Sequence, residues 1–341
     1  MQRPVAIDAR AAVRPELGGV ERWAREMAAR LPRLRPGGYA VLRPPPALAH
    51  RAGHAWEQLL LPARTARAPA LVCPANLAPV AAGNAVVVLH DAAVLRHPGW
   101  YSRAYAAWQR ALLPVLARRA RQVVTVSEFS RGELAELLGI DAAVVPGGVG
   151  AAFHPHADPE PARAALGLRR PYVLCVASQT ARKNLAALRP AARALAHGGV
   201  EVVVAGGHRP QFQAESGLAP LRLLGAVADA LLPGLYAGAE AFVLPSRYEG
   251  FGLPVLEAMA AGAPVVAADA GALPETCGGA ARLAPPDGDA FAAALTGLLA
   301  DEDERARLRA AGLRRAAAFT WERTARDLDA VVARVAGLRP L

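Results

Sequence analysis

Two glutamates and two glycines lie close together in the segment AFVLPSRYEGFGLPVLEAMAAGAPVVAAD, residues 241–269. Glu249 is expected in the loop after an apolar strand, and Glu257 eight residues later in the first turn of the next helix. Gly250 and Gly252 would bring backbone amides to the start of that helix, where anions and sugar hydroxyls can bind. Two carboxylates and exposed amides beyond a parallel strand indicate a carbohydrate or nucleotide site. An ordinary capped turn would not account for Glu249 together with the glycines.

Lys183 is singled out by the composition of the chain. It is the only lysine, and the other 38 of the 39 basic side chains are arginine. It follows Arg182 in the segment ASQTARKN, residues 177–184, directly after an apolar run. Because arginine occupies every other basic position, we expect the lysine to have a specific role.

The first half of the chain offers weaker candidates. Gly18 and Gly19 join the first predicted strand to the first predicted helix, and a plain strand-to-helix turn would explain them equally well. His90 and Asp91 follow a fully apolar run, and a position at a strand end favours a functional histidine over a structural one. Ser127 can act as the N-cap of the helix that follows it.

The elements that must position these residues alternate along the chain. Short β-branched runs and alanine-rich amphipathic segments are typical of βαβ units and parallel sheets. Strands are predicted at 4–9, 39–43, 70–73, 85–89, 122–126, 142–145, 172–177, 200–205, 221–224, 241–244 and 264–268. Helices are predicted near 19–31, 101–120, 128–138, 184–197, 228–238, 254–261, 289–300, 303–318 and 321–337. Three successive prolines predict a loop at 43–53.

A polar, proline-bearing stretch at 153–161 separates two such series. We therefore predict an α/β protein with two Rossmann-like domains, residues 1–160 and 161–318, whose parallel sheets face a central cleft. Residues 319–341 are predicted to form a C-terminal helix that packs back on the N-terminal domain, with Thr320 as its N-cap.

EGFGLPVLE, residues 249–257, resembles the signature of two glutamates separated by seven residues in GT-B retaining glycosyltransferases of family 4. The similarity extends over nearly the whole chain. Residues 177–184 resemble the RKN segment after the first strand of the family's nucleotide-binding domain. The sequence of residues 85–150 and 170–325 most resembles that of bacterial mannosyltransferases of polysaccharide assembly, in glycosyltransferase group 1. The resemblance implies a GT-B fold with an N-terminal acceptor-binding domain and a C-terminal nucleotide-sugar-binding domain.

The resemblance also implies roles for the glutamate segment. Glu249 would bind the hydroxyls of the donor sugar, and Glu257 would accept hydrogen bonds from the ribose hydroxyls of the nucleotide. The backbone amides of Phe251, Gly252 and Leu253 would line the sugar–phosphate site.

Arg182 and Lys183 would neutralise the diphosphate as it leaves, a task that needs fixed cations. The commoner family pattern places an arginine several residues ahead of the lysine, where this chain has Ser178 and Gln179. We therefore expect Arg182 to replace that arginine, although a solvated helix-start cation would also explain it.

By the same resemblance, further residues line the donor and acceptor sides of the cleft. The amides of Gly18 and Gly19 would approach the donor phosphate and the acceptor, and His90 would contact the donor sugar or the reacting centre. Asp91 and Ser127 would belong to the acceptor side and the cleft floor. The nucleotide base would lie near the strand ends of segments 205–210 and 223–227, at Gly206 and Val227.

Composition excludes several other classes of protein. At 341 residues with 53% apolar residues, the chain is neither disordered nor collagen-like. Because no apolar stretch is long enough to span a membrane and no secretory signal is evident, we expect a cytoplasmic protein. Three distant cysteines make neither a disulfide framework nor a zinc site. The net charge of +10 favours an acidic partner, but the arginines are scattered at helical spacing, as on solvated faces.

The activity that we expect is metal-independent, retaining hexosyl transfer from a nucleoside-diphosphate sugar, with no cofactor. GDP-mannose is the favoured donor and a UDP-sugar the alternative. The acceptor would be a hydroxyl of a glycan, a lipid-linked molecule or a small molecule, bound by loops 10–18 and 43–56. The positive charge also permits peripheral contact with an anionic membrane at its inner face, while nucleic acid is not an expected partner.

Three alternatives stay open. A UDP-sugar 2-epimerase would share the fold but would need acid/base carboxylates in the N-terminal domain, which the sequence does not identify. A non-catalytic nucleotide-sugar-binding subunit would not need Glu249, Glu257 and Lys183 together. A nucleic-acid-binding protein would show strongly salt-dependent retention of DNA. The sequence has no HExxH motif, Walker loop or GxSxG motif to support metalloprotease, NTPase or hydrolase chemistry.

Overall fold

The computed structural model describes residues 3–14, 18–48, 53–207 and 212–340. The chain forms two compact units. The first consists of Met1–Arg96, Ala107–Gly148 and Trp321–Leu341, and the second of His97–Ala106 and Val149–Thr320. The sequence placed the boundary at residue 160, whereas residues 149–160 belong to the second unit.

Two parallel sheets form the centres of the two units. Their strands, in chain order, are β1 (Val5–Asp8), β2 (Tyr39–Leu42), β3 (Leu71–Cys73), β4 (Ala85–Val88), β5 (Gln122–Thr125), β6 (Ala143–Val144), β7 (Tyr172–Val176), β8 (Glu201–Ala205), β9 (Arg222–Gly225), β10 (Ala241–Leu244), β11 (Val265–Ala268) and β12 (Arg282–Ala284). Within the described residues each sheet has six strands, ordered β2-β1-β3-β4-β5-β6 and β12-β11-β10-β7-β8-β9. Because all pairs are parallel, the carboxyl ends of the strands in one sheet share one edge.

Helices cover the faces of the sheets, so the central strands are buried throughout their length. The helices are α1 (Gly19–Leu34), α2 (Gly53–Ala55), α3 (Leu61–Thr65), α4 (Ala93–Arg96), α5 (Arg103–Arg119), α6 (Glu128–Leu138), α7 (Glu160–Leu166), α8 (Arg189–Ala196), α9 (Leu232–Ala237), α10 (Leu253–Ala260), α11 (Leu273–Cys277), α12 (Gly288–Ala300), α13 (Glu302–Ala317) and α14 (Trp321–Ala336).

The predicted strands correspond to β1–β11, and the differences lie in short or irregular elements. β12 was not predicted, because its three residues, Arg-Leu-Ala, carry little apolar pattern and only Ala284 among them is buried. The predicted loop at 43–53 contains a 3-10 turn, Pro46–Leu48, and reaches α2. A π-helical turn, Trp56–Leu60, joins α2 to α3 and was not predicted either. The predicted helix at 184–197 is a 3-10 turn, Leu185–Leu188, followed by α8, which has Pro190 in its first turn.

The C-terminal helix α14 packs on α1 within the first unit. Its inward face buries Leu328, Val331 and Val332. Arg35, at the end of α1, donates from Nε and Nη2 to the two carboxylate oxygens of Asp329, at 3.0 and 2.7 Å. Burial on this face and the two-pronged ion pair both hold the helix against the first unit.

None of the helices in the described ranges has the length and the apolar character needed to cross a bilayer.

Candidate donor site

Lys183 and Glu249 form a buried ion pair at the carboxyl edge of the second sheet. Lys183 ends a 3-10 turn, Ala181–Lys183, in the connection after β7, and Glu249 lies in the loop between β10 and α10. The Nζ atom of Lys183 is 2.5 Å from Oε1 of Glu249, although the two residues are 66 positions apart in the sequence. The parallel order of β7 and β10, which are neighbours, brings their two connections together.

The surroundings shift the pKa values of both groups. Burial lowers the pKa of Lys183, since it disfavours the ammonium form, while the charge of Glu249 acts in the opposite direction. Burial alone would raise the pKa of Glu249, but the charges of Lys183 and Arg182 outweigh it and the pKa is lowered. Glu249 is therefore held as a carboxylate beside two cations.

Hydrogen bonds to backbone carbonyls hold the two loops of the pair together. Asn184 adopts the left-handed conformation, with φ +54°. Its Nδ2 atom donates to the carbonyls of Pro245 and Pro286, at 3.1 and 3.0 Å. The amide of Arg247 donates to the carbonyl of Arg182 at 3.0 Å. The positions of the cations therefore depend directly on the loop that carries Glu249.

Glycines permit the close packing of the Glu249 loop. Gly252 is the N-cap of α10 with φ +96°, and a Cβ atom there would lie 2.7 Å from Cδ2 of Leu273. Gly271 has φ +60°, and a Cβ atom there would lie 2.7 Å from the amide nitrogen of Glu249. The amide of Ala272 donates to the carbonyl of Glu249 at 3.0 Å. Side chains at either glycine would push the loop away from this packing.

Glu257 lies in the second turn of α10, which corrects the prediction of the first turn. The helix begins at Leu253, with Pro254 as its second residue, so Glu257 is the fifth. Its side chain is buried, and the hydroxyl of Tyr236 donates to its Oε2 atom at 2.9 Å. The hydroxyl of Tyr236, on the neighbouring helix α9, therefore helps to orient the carboxylate.

The predicted amides of Phe251, Gly252 and Leu253 lie where α10 begins. The first N–H groups of a helix have no partner within that helix, so the start of α10 can interact with an anion. Thr276 donates to the carbonyl of Phe251, and the Phe251 ring lies 5.9 Å from that of Phe319.

Gly206 and Val227 lie beyond β8 and β9, at the same edge of the sheet. Gly206 has φ +147°, and a Cβ atom there would lie 2.1 Å from the carbonyl oxygen of Ala177, so no side chain fits. Val227 is half-buried against the core of this unit. The predicted segment 205–210 is described as far as Gly207, and its residues 208–210 lie outside the described residues.

In the first unit, His90 lies just beyond β4 and is held as a neutral ring. Its Nε2 atom is 2.9 Å from the carbonyl oxygen of Pro74, which can only accept, so Nε2 carries the proton. Burial lowers the pKa of the imidazole. The Trp23 ring contacts it edge-on, with centroids 5.6 Å apart. Nδ1 is therefore the ring nitrogen that can accept a hydrogen bond.

Asp91 and Ser127 lie close to His90 in sequence or in space. Oδ1 of Asp91 accepts from the amide of Ala93 at 3.0 Å. Ser127 is the N-cap of α6, as predicted, because its Oγ atom accepts from the amide of Ser130 at 3.0 Å. The Ser130 hydroxyl in turn donates to the carbonyl of His90 at 3.2 Å. The ends of β4 and β5 thus bring these predicted residues together.

The glycine turn is described from Gly18 onward, since residues 15–17 of loop 10–18 lie outside the described residues. Gly18 is the N-cap of α1, and its amide donates to Oε2 of Glu21 at 3.0 Å. Gly19 has open space where a Cβ atom would lie. Of the predicted acceptor loop 43–56, residues 49–52 also lie outside the described residues.

A second charged cluster, which sequence reasoning missed, consists of Asp8, Arg10 and Glu57. All three side chains are buried in the first unit. Nε of Arg10 pairs with Oε2 of Glu57, and the amide of Arg10 donates to Oδ1 of Asp8 at 2.9 Å. Burial, and then the nearby charge of Glu57, raise the pKa of Asp8 to about 7. The sequence feature that could have identified this cluster is the position of Asp8 and Glu57 inside apolar runs.

The Asp-x-Asp spacing, a common arrangement for metal-bound diphosphates, occurs three times, and one aspartate of each has a structural partner. Asp287 accepts from the amide of Ala290 and caps α12. Asp301 accepts from the amide of Glu304 and caps α13. Asp329 is the partner of Arg35 described above.

Comparison with known proteins defines the class and then the family. The structure of sucrose-phosphate synthase from Thermosynechococcus elongatus superposes with a TM-score of 0.78, covering 98% of this chain and 99% of that one at 22% identity. With its two six-stranded parallel sheets, the chain therefore has the GT-B glycosyltransferase fold. Residues 38–153 match the family described as "Glycosyltransferase Family 4", and residues 170–301 match "Glycosyl transferases group 1".

Two curated relatives are mannosyltransferases. The O-antigen chain mannosyltransferase B of Escherichia coli is 33% identical over 259 residues, covering 70% of this chain and 67% of the relative. A GDP-mannose-dependent α-(1-6)-phosphatidylinositol monomannoside mannosyltransferase of Mycobacterium tuberculosis is 34% identical over 218 residues, covering 56% of this chain and 55% of the relative. The chain belongs to the family 4 glycosyltransferases and is a glycosyltransferase with mannosyltransferase relatives.

Proposed function

We propose that the chain is a retaining hexosyltransferase that needs no metal ion and transfers mannose from GDP-mannose to a hydroxyl of a glycan, lipid-linked or small-molecule acceptor. The observation that carries this proposal is the buried Lys183–Glu249 pair with Arg182 beside it, at the carboxyl edge of the second sheet. Ligands of open α/β sheets bind at that edge.

The charges of this cluster suit a diphosphate. Arg182 and Lys183 carry two positive charges, and Glu249 carries one negative charge. The sum is one positive charge, partly removed from water, where an anion is attracted more strongly than at the surface. In our proposal, Glu249 keeps the lysine ammonium in place and accepts hydrogen bonds from the hexose hydroxyls. Lys183 and Arg182 stabilise the charge that develops on the departing diphosphate.

The proposed reaction proceeds on one face of the sugar. The bond between the anomeric carbon and the diphosphate oxygen breaks, and its electrons leave with the diphosphate. The acceptor oxygen forms the new bond to the anomeric carbon from the same side, and its proton passes to the departing phosphate oxygen. No protein carboxylate is required as a base, and the configuration of the anomeric carbon is retained.

The remaining predicted residues have supporting roles in this proposal. Glu257, oriented by Tyr236, would accept hydrogen bonds from the ribose hydroxyls of the nucleotide. His90 would accept a hydrogen bond from a sugar hydroxyl at Nδ1, because its Nε2 proton is directed at the carbonyl oxygen of Pro74. The amides at the start of α10 and the turn at Gly18 would face the phosphates.

Mannose as the sugar and GDP as the nucleotide are supported by the relatives rather than by a contact. Both relatives are named as mannosyltransferases, and one name states dependence on GDP-mannose. A UDP-sugar is the alternative donor. Independence of metal ions is supported by the structural partners of all three Asp-x-Asp spacings.

The test combines binding with product analysis. Purified protein is heated with GDP, UDP, ADP and dTDP and with their sugars, since a specific ligand raises the melting temperature. GDP-mannose should give the largest shift, and transfer to alkyl mannosides should form an α-mannoside, as seen by NMR. A larger shift with another donor would overturn the choice of GDP-mannose. A β-linked product would overturn the retaining mechanism.

A further inference from the structure

Residues His97–Tyr101 come from the first half of the chain, yet they belong to the second unit. We propose that this segment is a positioning strap for the donor site, in which Trp100 and His97 hold the loops of Glu249 and of Arg182 and Lys183 in place for transfer. The proposal rests on the proposed function and names positioning residues that neither the sequence motifs nor the comparisons identify.

The backbone of the strap is linked to the lysine turn through residues 212–215. The amide of Gln213 donates to the carbonyl of Trp100 at 2.9 Å, and Tyr101 and Phe212 form an antiparallel bridge. On its other side, Gln213 accepts at its carbonyl from the amide of Ala181, at 3.2 Å. Ala181 is the first residue of the 3-10 turn that carries Arg182 and Lys183, so a displaced strap would release the support of that turn.

The rings of the strap contact the glutamate loop. The centroids of the His97 and Trp100 rings lie 4.0 Å apart, with the ring planes tilted by 30°. Both also meet the ring of Tyr248 edge-on, at 5.9 and 6.5 Å. Tyr248 is buried and directly precedes Glu249. Such ring pairs favour defined relative orientations, so they constrain the backbone at Tyr248 and therefore at Glu249.

Both sides of the ion pair therefore depend on one segment. The backbone of the strap supports the turn of Lys183, and its rings support the loop of Glu249. Rate depends steeply on such positioning, since a displacement of about 1 Å can lower turnover roughly 10²-fold. The strap would have this effect without contacting the substrate.

The decisive variant is Trp100→Ala, compared with Leu283→Ala as the control. Leu283 is 39% exposed on the edge strand β12 of the same unit and takes no part in the contacts of the strap. In Trp100→Ala we expect kcat with GDP-mannose to fall roughly 10- to 100-fold. The Kd for GDP should rise by a smaller factor than kcat falls, because Glu257 and Tyr236, which we assign to the nucleotide, lie outside these contacts. Trp100→Phe should restore most of the activity.

Amide hydrogen exchange supplies a readout that does not depend on activity. Peptides covering 180–184 and 245–252 should exchange faster in Trp100→Ala than in the wild type or in Leu283→Ala. If Trp100→Ala does not fold, His97→Ala provides the same test with a smaller side chain removed. If the wild type transfers no sugar from any donor, the proposed function fails, and faster exchange in both loops still supports the strap.

Two results would overturn the strap. One is a folded Trp100→Ala variant with wild-type kcat, whatever its exchange. The other is a lower kcat with unchanged exchange in both loops, which would mean that Trp100 acts by touching substrate instead.

Discussion

Two clusters of charged side chains among the described residues contain cationic and anionic groups in opposite proportions. In the second unit, Lys183 and Arg182 accompany the single carboxylate of Glu249, and the pKa of that carboxylate is lowered. In the first unit, Arg10 accompanies the two carboxylates of Asp8 and Glu57, and the pKa of Asp8 is raised to about 7. One cluster has an excess of positive charge, and the other has an excess of negative charge.

The difference shows how each cluster reaches charge balance. Two buried carboxylates beside one guanidinium are balanced when they take up one proton, and a proton is always available. Two cations beside one carboxylate carry a net positive charge, which an anion bound from solution would balance. The first arrangement suits a structural role, whereas the second suits a site for an anionic ligand.

The largest expected effect is that of Lys183→Ala on turnover. Turnover should fall roughly 10²-fold or more, since one fixed charge that stabilises the leaving group is lost. Initial rates with GDP-mannose would measure this, with Arg193→Ala as the control because Arg193 is an exposed basic residue on α8. Melting curves must accompany the rates, because removal of the lysine leaves Glu249 buried without it. Near-normal turnover in a folded variant would refute the role assigned to Lys183.

The second prediction separates the two glutamates of the donor site. Glu257→Ala should weaken the binding of GDP and of GDP-mannose alike, whereas Glu249→Ala should weaken the binding of GDP-mannose more than that of GDP. The loss of a hydrogen bond to a charged group is about 1.5–3 kcal/mol, or roughly 10- to 150-fold in affinity. Calorimetric titration of both variants with both ligands measures it. Equal damage to GDP binding would contradict the assignment of sugar to one glutamate and nucleotide to the other.

The third prediction concerns the pH dependence of stability. The pKa of Asp8 is raised from 3.8 to about 7, so the folded state keeps a proton that the unfolded state loses. Its contribution to the free energy of unfolding is present below pH 4 and is lost as pH rises to 7, by up to about 1.4 kcal/mol per pH unit. Glu249, whose pKa is lowered, contributes stability above its ordinary pKa and loses it as pH falls.

Urea unfolding between pH 4 and 8 would measure the contribution of Asp8, because that of Glu249 changes only at lower pH. Glu57→Gln removes one of the competing carboxylates, so the decline between pH 4 and 7 should be smaller than in the wild type. Glu302→Gln, an exposed substitution in the first turn of α13, is the control. An unchanged pH profile in Glu57→Gln would mean that the two carboxylates do not share a proton.

The smallest expected effect is that of metal removal. Initial rates after treatment with EDTA should match the untreated rates, because the fixed cations at positions 182 and 183 would take the place of a metal ion. Complete loss of activity that manganese restores would show that the diphosphate requires a metal ion.

The local pattern of apolar and polar residues was sufficient to predict most of the fold. Each of β1–β11 except the leucine-rich β9 lies in an apolar, β-branched run, and such runs show in a few adjacent residues. The prediction failed where pattern was short or interrupted, as in β12 and in the turn Trp56–Leu60. It also placed Glu257 in the first turn of α10, because it started the helix one residue too late, at Pro254 instead of Leu253.

The sequence by itself determined the two series of strands and helices, the glutamate segment at 249–257 and the isolated lysine, because all of these are local in the chain. Only the tertiary structure decided which charges meet. Lys183 and Glu249 are 66 residues apart, and Arg10 and Glu57 are 47 apart. The same is true of the contact between Trp100 and Tyr248. Such contacts depend on which strands become neighbours, and that order follows from the burial of the whole chain rather than from any one segment.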